Sequence, residues 1–233
     1  MIDFRLPFVL IVTFMAVMAP GFGVAAADNE LDLALARMDQ ASSTFKGLTA
    51  DLKKVSHLEV INKDEIDEGT IAVKRTKAKD MRVLIDIKRP DAKKAMIGGA
   101  KAQIYYPKIN EVQEWDLGKN RGLVDQFMLL GFGSNSKDLK DAYSITLGGT
   151  DTVAGEKTTR LELLPKSKEI LAHFKKFELW ISEQGMTVQQ KMHQTGGDYI
   201  SNTYTHIVLN SNLPDSAVKM DVPKNAKVVK PQK

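Results

Sequence analysis

The stretch MRVLIDIKR, residues 81–89, puts Met81, Val83, Ile85 and Ile87 at every second position and stops at Pro90. Side chains alternate faces along a strand, so this spacing lines one side of a sheet with apolar groups. The pattern recurs along the chain. Leu48, Ala50 and Leu52 alternate with Thr49, Asp51 and Lys53, and TIAVKR (70–75), KAMI, AQIYY and EVQEW follow. Further strands are predicted at YSITL (143–147), TRLELL (159–164), FKKFELWIS (174–182), MTVQQKMH (186–193) and YISNTYTHIVL (199–209). Polar turns separate them, among them NKDEIDEG (62–69), KAKD, PKIN, SEQG and QTGGD. About ten strands in up-and-down order, with no linker or internal repeat, predict a mainly β fold with helices (α+β). Its centre is a single, strongly curved antiparallel sheet or barrel.

Such a sheet has one face in water and an apolar inner face that must be filled or covered. Two segments offer cover. Leu31, Ala34, Leu35, Met38 and Ala41 follow helical spacing, with Asp28 or Asn29 as the cap. The second segment is LVDQFMLLGFG (123–133), whose Leu123, Val124, Phe127, Met128, Leu129, Leu130 and Phe132 go most of the way round a helix. A helix apolar on most sides needs apolar material on most sides. It is either a plug completing the core or a lid over an apolar ligand cavity. Gly131 and Gly133 flank Phe132, where they end the helix and leave it free to move.

Residues 1–27 read as a cleaved signal peptide: Arg5, an apolar run from Leu6 to Met18, Pro20-Gly21, then Ala25-Ala26-Ala27. The apolar run is too short for a membrane span. Residues 28–233 then form a single exported domain. With no cysteine, the chain has no disulfide, thiolate metal site or cysteine nucleophile. The formal charge of +4 suits an anionic membrane surface or an acidic partner and falls far short of a nucleic-acid binder.

Signatures of catalysis are missing. GFGSNS lacks the third glycine of a dinucleotide loop, and there is no GxSxG, HExxH or Walker sequence. His193 and His206 fall in neighbouring strands and could approach one another, but no carboxylate lies near them in sequence, so no metal or cofactor is expected. The run Asp64, Glu65, Asp67, Glu68 reads as a solvated hairpin loop. Arg75 ends a strand; its five donors could reach backbone carbonyls at the end of a short helix and so latch a lid.

An ordered set of stretches resembles the LolA-like family of periplasmic outer-membrane lipoprotein carriers. ALARMDQASSTFKGLTADLKKV is similar to the family's helix and Ser-Ser-Phe entry into the first strand. EGTIAVKR is similar to its Gly-x-Leu-x-Val-Lys-Arg strand. IKRPDAKKAMIGGAKAQIYYP, QFMLLGFGSNSKDL, ELLPKS, FELWISEQGMTVQQ and THIVLNSNLPDSAVKMDVPKNAKVV carry the likeness through nearly all of residues 28–233. The chain departs from the pattern at Thr76, at Ile104 or Tyr105, and at Leu52.

The resemblance implies an incomplete β-barrel lidded by the N-terminal helix and a short loop helix. It implies a non-enzymatic, monomeric periplasmic chaperone that shuttles lipoprotein acyl chains from an inner-membrane lipoprotein-releasing ABC transporter to an outer-membrane acceptor. Arg75 becomes the lid latch, facing Gln126 to Gly131. Candidate cavity and lid residues are Leu48, Leu52, Ile71, Val73, Val83, Ile85, Phe127, Met128, Leu130, Phe132, Leu161, Phe177 and Leu179, with Met81, Met128, Met186, Met192 and Met220 as soft, adaptable surface. The alternatives are a sensor of lipid or lipoprotein, a carrier of another lipid, and an enzyme working on a lipid.

Overall fold

The computed structural model describes residues 22–77, 80–99, 101–118, 128, 130–210 and 212–231. Helix α1 (Phe22–Thr44) comes first, starting six residues before the expected cap. Six strands follow: β1 (Gly47–Leu58), β2 (Lys63–Lys77), β3 (Asp80–Arg89), β4 (Lys93–Gly98), β5 (Lys101–Tyr106) and β6 (Glu111–Asp116). Helix α2 (Ser136–Ala142), β7 (Tyr143–Val153), β8 (Glu156–Pro165) and the single-turn α3 (Lys168–Leu171) lead to β9 (Phe174–Ser182), β10 (Thr187–Gln194), β11 (Tyr199–Leu209) and β12 (Lys227–Val229). No helix among the described residues is long and apolar enough to cross a membrane.

The twelve strands of the described residues form one open sheet in the order β12-β6-β5-β4-β3-β2-β1-β11-β10-β9-β8-β7. The expected α+β incomplete barrel is therefore what the chain forms. Two up-and-down runs, β1–β6 and β7–β11, are joined where β11 pairs antiparallel with β1. β12 adds parallel to β6.

From Lys63 onward, the acidic run expected as a loop is strand. β1 and β2 pair without interruption from Gly47↔Lys74 to Leu58↔Lys63. The turn lies earlier, a 3₁₀ turn at Glu59–Ile61 closed by Asn62 in the left-handed region. Pro107–Ile109 and Asn110 repeat that device between β5 and β6. Cross-strand ion pairs hold the polar end of the hairpin: His57 Nδ1 lies 2.7 Å from Asp64, and Lys54 Nζ lies 3.0 Å from Asp67.

The inner face carries two apolar clusters. Ala34, Leu35 and Met38 of α1 pack on Leu161, Leu163, Phe177, Leu179 and Ile181 of β8 and β9. Phe45, Leu48, Leu52, Ile71, Val73, Val83, Ile87, Met186 and Tyr204 form the second. Leu130 joins the first cluster and Phe132 the second, so the turn at 130–133 bridges them. Helix α1 covers the β7–β9 side of the sheet, and the β2–β5 side lies beyond it.

Candidate functional site: an apolar cavity closed by an arginine-held turn

On that second side the inner face, Met128 and residues 130–132 border a cavity of about 540 Å³. Its floor follows from strand registers. Ile71 faces Ile85, Val73 faces Val83, Ile85 faces Ala95 and Ala95 faces Ile104, one apolar row across four strands. Met81, Ile87 and Ile97 extend the floor, and Leu52, Tyr204, Ile200 and Met192 continue it through β1, β11 and β10. Met128, Leu130, Gly131 and Phe132 form the opposite wall. Phe132 sets its ring edge-on to Tyr204 with centroids 4.8 Å apart.

Arg75 lies on the same face of β2 as Ile71 and Val73, where it reaches the end of the covering turn. Its Nη2 donates to the Gly133 carbonyl at 2.7 Å and its Nη1 to the Ser42 carbonyl at 3.1 Å. The guanidinium also stands 5.4 Å from the centre of the Phe45 ring. Ser42 Oγ donates to the same Gly133 oxygen at 2.7 Å, and Thr187 Oγ1 donates to the Gly131 carbonyl at 3.1 Å. Three side chains from α1, β2 and β10 thus hold the turn. Gly133 permits this: its φ is +75°, and a Cβ there would meet Phe45 Cδ1 at 2.6 Å and Arg75 Nη2 at 2.9 Å.

The sequence-derived candidates divide by place. Leu52, Ile71, Val73, Val83, Ile85, Met128, Leu130 and Phe132 line the cavity. Leu161, Phe177 and Leu179 are fully buried under α1, and Leu48 is fully buried in the second cluster. Phe127, together with most of the expected loop helix, lies outside the described residues. The acceptor facing Arg75 is Gly133, two residues beyond the expected range. Met81 and Met192 border the cavity, whereas Met186 is core and Met220 lies elsewhere.

Five polar lining residues went unanticipated: Lys54, Asp67, Lys93, Gln190 and Asn202. Asp67 accepts from Lys54 Nζ through Oδ2 at 3.0 Å and from Lys93 Nζ through Oδ1 at 3.2 Å. Burial pushes its carboxyl up, but the hydrogen bonds from Lys93 and Lys54 outweigh that and hold it below the usual aspartate value.

The histidines do not converge. His193 pairs with Tyr199 across β10 and β11, and His206 sits seven residues further along β11, about 23 Å at 3.3 Å per residue. Each has its own carboxylate: His193 Nε2 lies 2.5 Å from Glu178 Oε2, and His206 Nδ1 lies 2.8 Å from Asp51 Oδ2. None of these four residues borders the cavity. Among the described residues no group of three or more His, Asp or Glu side chains is placed to hold a metal ion.

No family model matches the sequence, and no curated protein matches it significantly. Solved structures are similar in fold. An uncharacterized conserved protein from Thermus thermophilus superposes with a TM-score of 0.54 at 13% identity, over 87% of this chain and 99% of that one. MucB superposes with a TM-score of 0.50 at 15% identity; 85% of this chain covers 64% of MucB, so the chain spans less than two thirds of that protein. A LolA superfamily protein from Nitrosomonas europaea is a weaker match, with a TM-score of 0.40 at 10% identity over 81% of this chain and 97% of that one. The first two likenesses establish a shared fold and, at these identities, nothing beyond it.

Proposed function

We propose that this protein is a non-enzymatic carrier of acylated lipoproteins. Residues 1–27 direct it to the periplasm, and residues 28–233 act there as a monomer. Its cavity takes up acyl chains released by an inner-membrane ABC transporter and yields them to an outer-membrane acceptor. One observation carries the reading: an apolar floor built from four strands faces a separate apolar segment, and side-chain hydrogen bonds to backbone carbonyls, not packing alone, hold the two together. Such bonds are individually weak enough to exchange.

Burial of an acyl chain is worth about 0.8 kcal/mol per CH₂, so acyl chains crossing an aqueous compartment need cover. Met81, Met128 and Met192 give the wall the flexibility to fit chains of different shape. The test is co-elution on a sizing column of residues 28–233 with a triacylated lipopeptide and with its unacylated form. Stoichiometric capture of the acylated peptide alone is the expected result. Capture of neither, or equal capture of both, overturns the proposal.

A further inference from the structure

Resting on the apolar cavity of that reading and going beyond its lipoprotein cargo, we propose that the cavity also takes lipids with an anionic head, the acyl chain against the apolar floor and the head between Lys54 and Lys93. These two lysines and Asp67 are the charged residues lining the cavity among those described. All three stand on the inner face at one end. Lys54 and Asp67 are a cross-strand pair of β1 and β2, and Lys93 reaches over from β4. Asp67 and Arg75 share a strand and a face eight residues apart, so the charged end lies roughly 26 Å from the latch at 3.3 Å per residue.

Charge complementarity sets the sign of the head. Two ammonium groups converge on one carboxylate, leaving an excess positive charge, and their side chains keep 31% and 32% exposure. The apolar walls around them strengthen their attraction for an anion relative to open water. Gln190 adds an enclosed Oε1 with no hydrogen-bond partner on the same lining. Buried polar atoms are normally satisfied, and a hydroxyl on the lipid head would supply the missing donor. A purely apolar ligand would need neither the lysines nor that amide.

The probe pair is lysophosphatidic acid and the monoacylglycerol of the same chain, alike except for the phosphate, titrated below their critical micelle concentrations. Lysophosphatidic acid is expected to bind about tenfold more tightly, the order of one charge-assisted hydrogen bond. In Lys54→Ala/Lys93→Ala that ratio collapses toward unity while the monoacylglycerol still binds. In Asp67→Asn, which removes the competing carboxylate, the ratio rises. Inorganic phosphate alone is expected not to compete at the concentration of the lipid. Equal affinity for the two heads, or a ratio unmoved by the lysine replacements, overturns the head-group inference and leaves the acyl cavity standing. Binding of neither lipid overturns both.

Discussion

Arg75 and Gly133 lie 58 residues apart in sequence, and a 2.7 Å hydrogen bond from Nη2 to the glycine carbonyl ties the covering turn to the sheet. The same guanidinium holds the end of α1 through Ser42. Replacing Arg75 with Leu removes both bonds and leaves the Gly133 oxygen with Ser42 Oγ alone. The empty protein is expected to lose about 1–3 kcal/mol, read from urea unfolding. A ligand that must displace the turn no longer competes with the latch, so an acylated lipopeptide should bind up to about tenfold more tightly and leave more slowly. Arg75→Lys, with one point charge in place of the fork, falls between. Wild-type release kinetics in Arg75→Leu would remove the latch from the mechanism.

Gly133→Ala tests the same junction from the backbone side. The left-handed φ of +75° strains an alanine, and its Cβ would collide with the Phe45 ring and the Arg75 guanidinium. A loss of more than about 1 kcal/mol is expected. Gly99 has a similar positive φ, but a Cβ there would meet nothing within 4 Å, so Gly99→Ala carries the strain without a collision and should cost less. Equal thermal midpoints for the two variants would show that the junction is looser than its distances.

Much of this arrangement is legible in the sequence, and the remainder is hidden for physical reasons. Period-2 spacing places Met81, Val83, Ile85 and Ile87 on one face, and all four line the cavity. Leu161, Phe177 and Leu179 obey the same rule on an equally inward face, but whether an inward residue meets a helix or a void depends on how far α1 reaches. The 63–69 segment is charged enough to read as a loop, yet it is strand because His57 and Lys54 answer Asp64 and Asp67 across the ladder. The true turn contains Val60, 93% exposed, and Ile61, which look like strand residues. Lys54, Asp67 and Lys93 lie on three strands, and only register brings them together.

The division between lining and core has its own test. Ala95 faces the cavity and Leu161 is fully buried beneath α1. Ala95→Trp should fill the void, leave the thermal midpoint unchanged or raised, and abolish capture of an acylated lipopeptide. Leu161→Ala should cost about 2–5 kcal/mol through the space it leaves, while the folded fraction still captures the lipopeptide. Loss of capture in Leu161→Ala at full folding, or normal capture by Ala95→Trp, would place the ligand somewhere other than the β2–β5 side.

Glu178 gives the pH dependence its sign. The residue is 6% exposed and lies on the face of β9 opposite Phe177 and Leu179. One oxygen meets His193 Nε2 at 2.5 Å; the other has Lys176 Nζ at 3.5 Å and Arg160 Nη1 at 3.8 Å. Burial pushes the carboxyl up, but the His193 hydrogen bond and the charges of Lys176, His193 and Arg160 outweigh it, and the net value lies below the ordinary 4.5. A carboxyl lowered by folding stabilises the protein fully above its unfolded value, and that contribution fades as pH falls through the folded value. Glu178→Gln keeps the shape and one acceptor but loses the charge, so at pH 7 it should be less stable by about 1–3 kcal/mol. Urea unfolding of both proteins at stepped pH should show the gap present just above the unfolded carboxyl's range and closing in acid below it. A gap that stays the same down to the acid limit would mean that Glu178 contributes by shape and hydrogen bonding, with its charge irrelevant.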